Sequence, residues 1–190
     1  MRRHSFCYEY ELDTTVAVAV AAYLDVEHYM FLHNKYSPDY KVHHVEKHKI
    51  ENSQNWKFGW FRVGQTYTNE YFPPARFRNY DVRSSNKLIP NIHTLINVVT
   101  DLRYEPTKDG RRTKSILNVD LDIPFWLWPT RKYIENKIKT IKWEKDLEDM
   151  DMIKRREALF GFGNYQSYLA AHQFMIHKDS FVEHFGPSGS

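Results

Sequence analysis

The spacing of apolar residues changes twice along this chain, and these changes divide it into three parts. In the first part, Ser5–Leu12 alternates apolar and polar residues and predicts a strand. Asp13 and Thr14 follow as a helix cap, and Thr15–His33 has the one-sided apolar spacing of an amphipathic helix. The predicted fold therefore opens with a strand followed by a helix.

The second part, from Tyr40 to Asp122, contains β-branched and aromatic runs separated by turn-forming clusters, which is typical of an antiparallel sheet. Thr107–Gly110 is a good hairpin turn between two long strands. The predicted turns are Glu51–Asn55, Pro73–Pro74, Ser84–Asn86 and Pro106–Gly110. The predicted strands are Lys41–Lys49, Asn55–Arg62, Gln65–Phe72, Phe77–Ser84, His93–Glu105 and Arg112–Ile123.

Helical spacing returns after Pro124. Pro129–Phe160 predicts a long C-terminal helix of about eight turns, and Tyr165–His177 predicts a shorter one. This order of elements predicts an α+β helix-grip fold (START/Bet v 1-like), in which a curved antiparallel sheet wraps around the long C-terminal helix. The space between sheet and helix is the expected ligand cavity. We expect residues 1–185 to form a single helix-grip domain and residues 186–190 to be a flexible tail.

Composition narrows the possible functions. The net charge is +3 over 190 residues, so the chain as a whole does not have a nucleic-acid-binding surface. A lone cysteine, Cys7, excludes an internal disulfide and a cysteine-based zinc or iron–sulfur site. The apolar run Val16–Leu24 is too short to span a bilayer and follows three acidic residues. We therefore expect a cytoplasmic protein with no transmembrane segment.

The segment Tyr23–His33 is the most informative one for function, because Asp25, His28 and His33 form the pattern Asp-x-x-His-x4-His. Two histidines and one carboxylate, with open positions, form the usual non-haem Fe(II) site. Five residues on a regular helix separate the two rings by about 140°. They can bind one metal only if the helix has a π-bulge or ends near His33. Asp25 is spaced to orient the His28 ring through its carboxylate.

This segment resembles the iron-binding segment of the catalytic domain of Rieske-type ring-hydroxylating oxygenase α subunits. In that family the motif supplies two iron-binding histidines and an aspartate that couples the iron to the Rieske cluster. The third ligand is an aspartate within a Glu-Asp-x-x-hydrophobic pattern on the long C-terminal helix, and Glu148–Asp149 matches that pattern. The resemblance implies a mononuclear Fe(II) site formed by His28, His33 and Asp149, with Asp25 as a catalytic residue. Asp146 and Asp151 are the alternative third ligands.

The chain departs from this family in one respect, since it has none of the Cys-x-His and Cys-x-x-His pairs that bind the Rieske cluster. The resemblance therefore implies that a separate protein or a neighbouring chain docks near Asp25 and supplies the electrons. It also implies a hydrophobic or aromatic substrate and a homo-oligomer, a trimer in related oxygenases. The alternative is a non-catalytic START-like protein that binds or transports a hydrophobic ligand such as a lipid, sterol or polyketide.

Overall fold

Seven antiparallel strands form one sheet in the computed structural model, which describes residues 1–33, 39–58, 61–85, 96–170 and 175–186. Their order across the sheet is β1-β7-β6-β5-β4-β3-β2, so the first and last strands of the chain are neighbours. The strands are β1 (Arg2–Leu12), β2 (Lys41–Val45), β3 (Lys49–Phe58), β4 (Phe61–Phe72), β5 (Arg76–Ser85), β6 (Asn97–Pro106) and β7 (Thr113–Ile123).

The alternation of the sequence explains which face of the sheet is buried. Along β7 every second side chain, from Thr113 to Ile123, is buried, and those between them are half-buried or exposed. β7 pairs with β1 from Leu12↔Thr113 to Arg2↔Ile123 without a register shift, and with β6 across the predicted hairpin. Gly110 has a φ of 68° in that hairpin, a value that glycine adopts without steric cost.

The helices pack on the inner face of this sheet. They are α1 (Val16–Leu24), α2 (Glu27–Phe31), a 3-10 helix (Phe125–Thr130), α3 (Arg131–Phe160), α4 (Gln166–Ala170) and α5 (Lys178–Phe185). The Oγ1 atom of Thr15 caps α1 by accepting a 3.5 Å hydrogen bond from the Val18 amide, so the cap lies one residue after the predicted Thr14. No described helix combines the length and the apolar character that a bilayer-spanning segment requires.

The hydrophobic core lies between α1, α5 and the sheet. Fully buried side chains include Val20, Leu24, Phe77, Leu121 and Phe181. α3 is 30 residues long, as predicted, but only two of its apolar residues, Met150 and Ile153, are buried, and its inward face also carries polar residues. Polar partners on the first strand and the loop after it satisfy these residues, in the pairs His4–Glu135, Tyr10–Lys142 and Thr14–Glu157.

Several sequence predictions were wrong. The predicted strand Asn55–Arg62 is the end of β3 and the start of β4, which pair with each other at Phe58↔Phe61. The predicted helix Thr15–His33 is two helices, because Asp25 has an extended backbone and bridges Met175, while the Ile176 amide donates to the Leu24 carbonyl. The predicted turn Glu51–Asn55 is instead the middle of β3. The helix predicted at 165–177 is described only as α4, and α5 was not predicted. Parts of the predictions at 55–62, 84–86, 93–105, 165–177 and 186–190 lie outside the described residues.

Candidate metal centre

The break between α1 and α2 positions the first histidine. α1 ends at Leu24 and α2 begins at Glu27, so His28 lies in the first turn of the short helix. His28 is 7% exposed. Neither of its ring nitrogens has a hydrogen-bond partner among the described residues. The fold therefore buries an imidazole whose hydrogen-bonding capacity is unused, which is uncommon for a structural histidine.

The end of α2 positions the second histidine. α2 ends at Phe31, so His33 lies beyond the helix and its ring is not held 140° from that of His28. This confirms one of the two geometries that the five-residue spacing allows. The two rings lie 5.2 Å apart between centroids, at 80° to each other, and His33 is 1% exposed.

The third residue of the centre, Asp149, lies on α3. Its Oδ1 atom lies 3.0 Å from the His33 Nε2 atom and 3.5 Å from the His28 Nε2 atom. The three residues offer one ligand atom each, and these atoms all lie within 4.8 Å of one another. The structure thus places together the three residues that the sequence motif predicts as metal ligands.

The distances between these atoms fit a common ion. For metal–ligand bonds of about 2.1 Å, ligand atoms lie about 3.0 Å apart at right angles and about 3.4 Å apart in a tetrahedron. The 3.0 Å distance from Asp149 to His33 equals the right-angle value, and the 3.5 Å distance to His28 is close to the tetrahedral one. Although the His33 ring is near, the Asp149 Oδ1 atom is buried without a hydrogen bond of acceptable geometry. A bound divalent cation would satisfy the His28 Nε2 atom and this oxygen together.

The other side of the His33 ring has a carboxylate partner. The Nδ1 atom of His33 lies 2.9 Å from the Glu148 Oε2 atom. When Nδ1–H donates to this carboxylate, the Nε2 lone pair faces Asp149. A carboxylate in this position fixes the tautomer of a ligating histidine and raises its basicity.

Asp25 has a different partner from the predicted one. Its carboxylate is buried and lies 3.5 Å from the Arg156 Nη2 atom, whereas the His28 nitrogens are unpartnered. Among the described residues, the Asp25 carboxylate therefore makes no hydrogen bond of acceptable geometry to the His28 ring. The guanidinium of Arg156 also stacks on Tyr168, 4.2 Å from the ring centroid. Asp25, Arg156 and Tyr168 thus form a line of contacts from the centre toward the C-terminal helices.

Burial and charge shift the pKa values of the centre in the direction that metal binding needs. Burial lowers the pKa of His28, which favours the neutral imidazole that binds metals. Burial raises the pKa of the Asp149 carboxyl, but His33, His28 and Lys142 together lower it below its usual range. The carboxylate form of Asp149 is the form that binds a cation.

The alternative third ligands lie elsewhere. Both carboxylate oxygens of Asp146 lie 2.5 Å from the Lys142 Nζ atom. Burial raises the pKa of Asp146 and lowers that of Lys142 to about 7. Asp151 is exposed on the outer side of α3. Among the described residues, neither carboxylate belongs to the group formed by the two histidines.

Aromatic side chains surround the centre. Tyr29 packs against both histidines, with centroid distances of 4.4 Å to His28 and 5.2 Å to His33, and stacks on Tyr40. Burial raises the pKa of Tyr29 well above its usual value. A cavity of about 20 Å³ adjoins Asp149, and Tyr23 and Tyr104 are among its lining residues. A space of this size holds about one water molecule.

Sequence reasoning missed the roles of Glu148, Arg156 and Lys142 at this site, although α3 carried a signal for two of them. Residues seven apart on a helix lie about 20° from each other around its axis. Lys142, Asp149 and Arg156 are spaced in this way, so placing Asp149 at a metal would have placed the other two on the same face.

The chain was compared with known proteins. No protein-family model and no curated protein sequence matches it. The aromatase/cyclase Zhui from Streptomyces sp. R1128 is similar over 79% of this chain and 90% of its own, at 9% identity and a TM-score of 0.56. Ara h 8.0201 is similar over 79% and 99%, at 8% identity and a TM-score of 0.54.

The chain has the helix-grip fold. The predicted fold class is thereby confirmed. A dicamba monooxygenase, solved with dicamba bound, is also similar, over 95% of this chain and 56% of its own, at 13% identity and a TM-score of 0.56. Likeness at such low identity establishes the fold alone, so the relation to Rieske-type oxygenases stays a prediction, to be argued from the site.

Proposed function

We propose that this chain is a mononuclear non-haem iron protein of the oxygenase type, in which His28, His33 and Asp149 bind one Fe(II) ion. One observation carries this proposal. Ligand atoms of three residues, brought together from α2, the segment after it and α3, converge, and two of these atoms, His28 Nε2 and Asp149 Oδ1, are buried without a hydrogen-bond partner among the described residues. Such an arrangement costs stability in the empty protein, because buried polar atoms are normally paired.

The donor set favours iron over other metals. Two imidazoles and one carboxylate on one face of an ion, with the opposite face open, are typical of non-haem Fe(II) oxygenases. When bound there, iron supplies coordination positions for dioxygen and for one-electron chemistry. The same donors also bind zinc, so iron selectivity is part of what the experiment must test.

The residues around the ion would position its ligands, balance its charge and exclude water from the site. Glu148 would hold the His33 ring so that its Nε2 atom is free to bind the ion, and the Asp149 carboxylate would balance part of the cationic charge. Tyr29 and Tyr40 form an aromatic wall beside the two imidazoles. We propose that a hydrophobic or aromatic substrate binds against this wall.

Asp25 and Arg156 are the proposed route for electrons into the centre. Asp25 is three residues from His28, and its carboxylate is linked by Arg156 to the half-buried side of α3. We propose that an electron-transfer protein docks on this side. A homo-oligomer of the chain, a trimer by resemblance, stays a prediction.

An iron–nitrosyl experiment tests this proposal. The full chain is reconstituted anaerobically with Fe(II) and exposed to nitric oxide, which binds to high-spin Fe(II) with an open position and gives a characteristic EPR signal. We expect a signal equivalent to about one iron per chain, lost in His28→Ala and Asp149→Ala. His43→Ala is the matched control, because His43 is exposed and contacts Ser53 instead. No signal in the wild-type protein, or an equal signal in all variants, would overturn the proposal.

A second candidate function is supported by the comparisons. The aromatase/cyclase and Ara h 8.0201 match this chain about as well as the monooxygenase does, by TM-score. In this alternative the fold binds or carries a hydrophobic molecule without redox chemistry. It predicts a co-purifying lipid, sterol or polyketide in an organic extract, detected by mass spectrometry. It also predicts that ligand binding survives the double variant His28→Ala, Asp149→Ala, whereas loss of binding in a folded double variant counts against it.

A further inference from the structure

The inner face of the sheet next to the metal centre is polar where a hydrophobic pocket would be apolar. On β3, Asn52 is 1% exposed and Gln54 is 5% exposed, while the neighbouring Glu51 points to solvent. On β4, Asn69 is 5% exposed. Strand alternation places these three amides on the face that the helices cover.

Each of the three amides has a buried oxygen without a partner among the described residues: Asn52 Oδ1, Gln54 Oε1 and Asn69 Oδ1. The nitrogen of the Asn69 amide has two partners. Its Nδ2 atom donates to the Tyr23 hydroxyl at 3.0 Å and to the Asn79 Oδ1 atom at 2.6 Å. Its Oδ1 atom is therefore an acceptor that awaits a donor.

The strand register makes these oxygens neighbours. Asn52 pairs with Tyr67, and Ile50 pairs with Asn69, so Asn52 and Asn69 are diagonal neighbours across β3 and β4. Diagonal pairs lie about 7–8 Å apart, and Gln54 lies about 7 Å further along its strand. The three acceptors thus form a row with the span of a one- or two-ring molecule.

The row also adjoins the metal centre. Tyr23, which accepts the Asn69 bond, lines the small cavity at Asp149. Tyr29 contacts both histidines and stacks on Tyr40, and Tyr67 lies directly opposite Asn52 in the strand register. A ligand along the row would therefore lie against the aromatic wall, beside the three ligand residues.

We propose that this row, Asn52, Gln54 and Asn69, binds a ring compound that bears hydroxyl or amino groups and donates hydrogen bonds from them. A plain hydrocarbon would leave all three oxygens unpartnered, at a cost of about 1–3 kcal/mol for each one. This ligand would be the substrate of the proposed iron protein, and the inference rests on that proposed function only for the metal nearby.

The test compares two probes of the same size and shape. Resorcinol has two hydroxyl donors in a geometry that does not chelate iron, and m-xylene has methyl groups in their place. Dissociation constants are measured by NMR titration of the full chain, first after removal of metals with a chelator and then with Fe(II) added. We expect the metal-free wild type to bind resorcinol.

Side-chain variants then identify where the probe binds. In Asn52→Leu, and separately in Gln54→Met, we expect the ratio of the resorcinol constant to the m-xylene constant to rise about tenfold, the effect of one lost hydrogen bond. Asn118→Leu is the matched control, an exposed strand amide on the other face, and should leave the ratio unchanged. If one variant does not fold, the other variant still decides.

The outcomes separate this inference from the iron proposal. An unchanged ratio of dissociation constants in the folded variants, or no resorcinol binding at millimolar concentration, would overturn the proposal that the polar row binds this ligand. Iron content is measured on the same samples, and we expect it to be equal in the wild type and in all three variants. If the wild-type protein binds no iron, the proposed metal site is wrong. The probe comparison on metal-free protein then stays valid.

Discussion

The hydrogen bond between Glu148 and His33 gives the sharpest quantitative prediction. The His33 Nδ1 atom and the Glu148 Oε2 atom are 2.9 Å apart, and the ring is 1% exposed, so the carboxylate orients this metal-binding histidine. Replacing it with alanine removes a charge-assisted bond of about 1.5–3 kcal/mol. Some of this is offset by water, because the Glu148 side chain is 30% exposed. We therefore expect Glu148→Ala to weaken Fe(II) binding about tenfold to a hundredfold.

Glu148→Gln tests the same hydrogen bond with a milder change, since it keeps an acceptor oxygen and removes the charge. Its expected loss is smaller, about threefold to tenfold. The assay is an anaerobic competition titration of Fe(II) against a coloured chelator. Asp151→Asn is the matched control, an exposed carboxylate on the same helix, and should bind iron as the wild type does. Binding by Glu148→Ala within twofold of wild type, or an equal loss in Asp151→Asn, would refute the reasoning.

Three further predictions concern stability. Phe181 is fully buried, so Phe181→Ala should cost about 3–5 kcal/mol of unfolding free energy in a urea titration, and a loss below 1 kcal/mol would contradict the packing. Hydrogen bonds from Lys139 and Lys132 lower the pKa of Glu135 from 4.5 to about 2, so its stabilisation is complete above pH 4.5 and is lost as the pH falls toward 2. Glu135→Gln should therefore destabilise the protein by about 1–3 kcal/mol at pH 7 and by much less near pH 2, and an equal loss at both would contradict this. Arg156→Gln removes the charged partner of Asp25 and should lower the unfolding free energy by about 1–2 kcal/mol, whereas an unchanged thermal midpoint would indicate that Asp25 is satisfied otherwise.

Much of the fold could be predicted from local patterns, and the failures have long-range causes. β7 alternates cleanly, and its hairpin turn has the residues the turn requires. By contrast, nothing local marks the helix break at Asp25. The break is imposed by pairing with Met175, about 150 residues further along the chain. α5 was missed because it is short and follows His177, whose left-handed backbone is set by its surroundings.

The wrong turn prediction in β3 has a different cause. Asn52 and Gln54 are polar residues in a run that otherwise resembles a strand, and polar clusters usually indicate turns. Here they are buried on the inner face beside the metal centre. Departures from the expected pattern often occur at functional sites, where polar groups are buried for binding.

The metal ligands of the candidate site could be predicted from the sequence, but the residues that hold those ligands in place could not. The spacing of the histidines and the Glu-Asp pair on the long helix identified residues that the fold brings together. The partners of those residues depend on tertiary packing. Asp25 pairs with Arg156, and Glu148 supports His33, and neither contact follows from spacing along the sequence.

Metal content tests the central claim most directly. The full chain is loaded anaerobically with Fe(II), freed of weakly bound metal by gel filtration, and analysed for iron and zinc by mass spectrometry beside Asp149→Ala. The account predicts about one iron per wild-type chain and less than a tenth of that in the variant. Wild-type protein without stoichiometric metal, or a variant that retains it, would contradict the account.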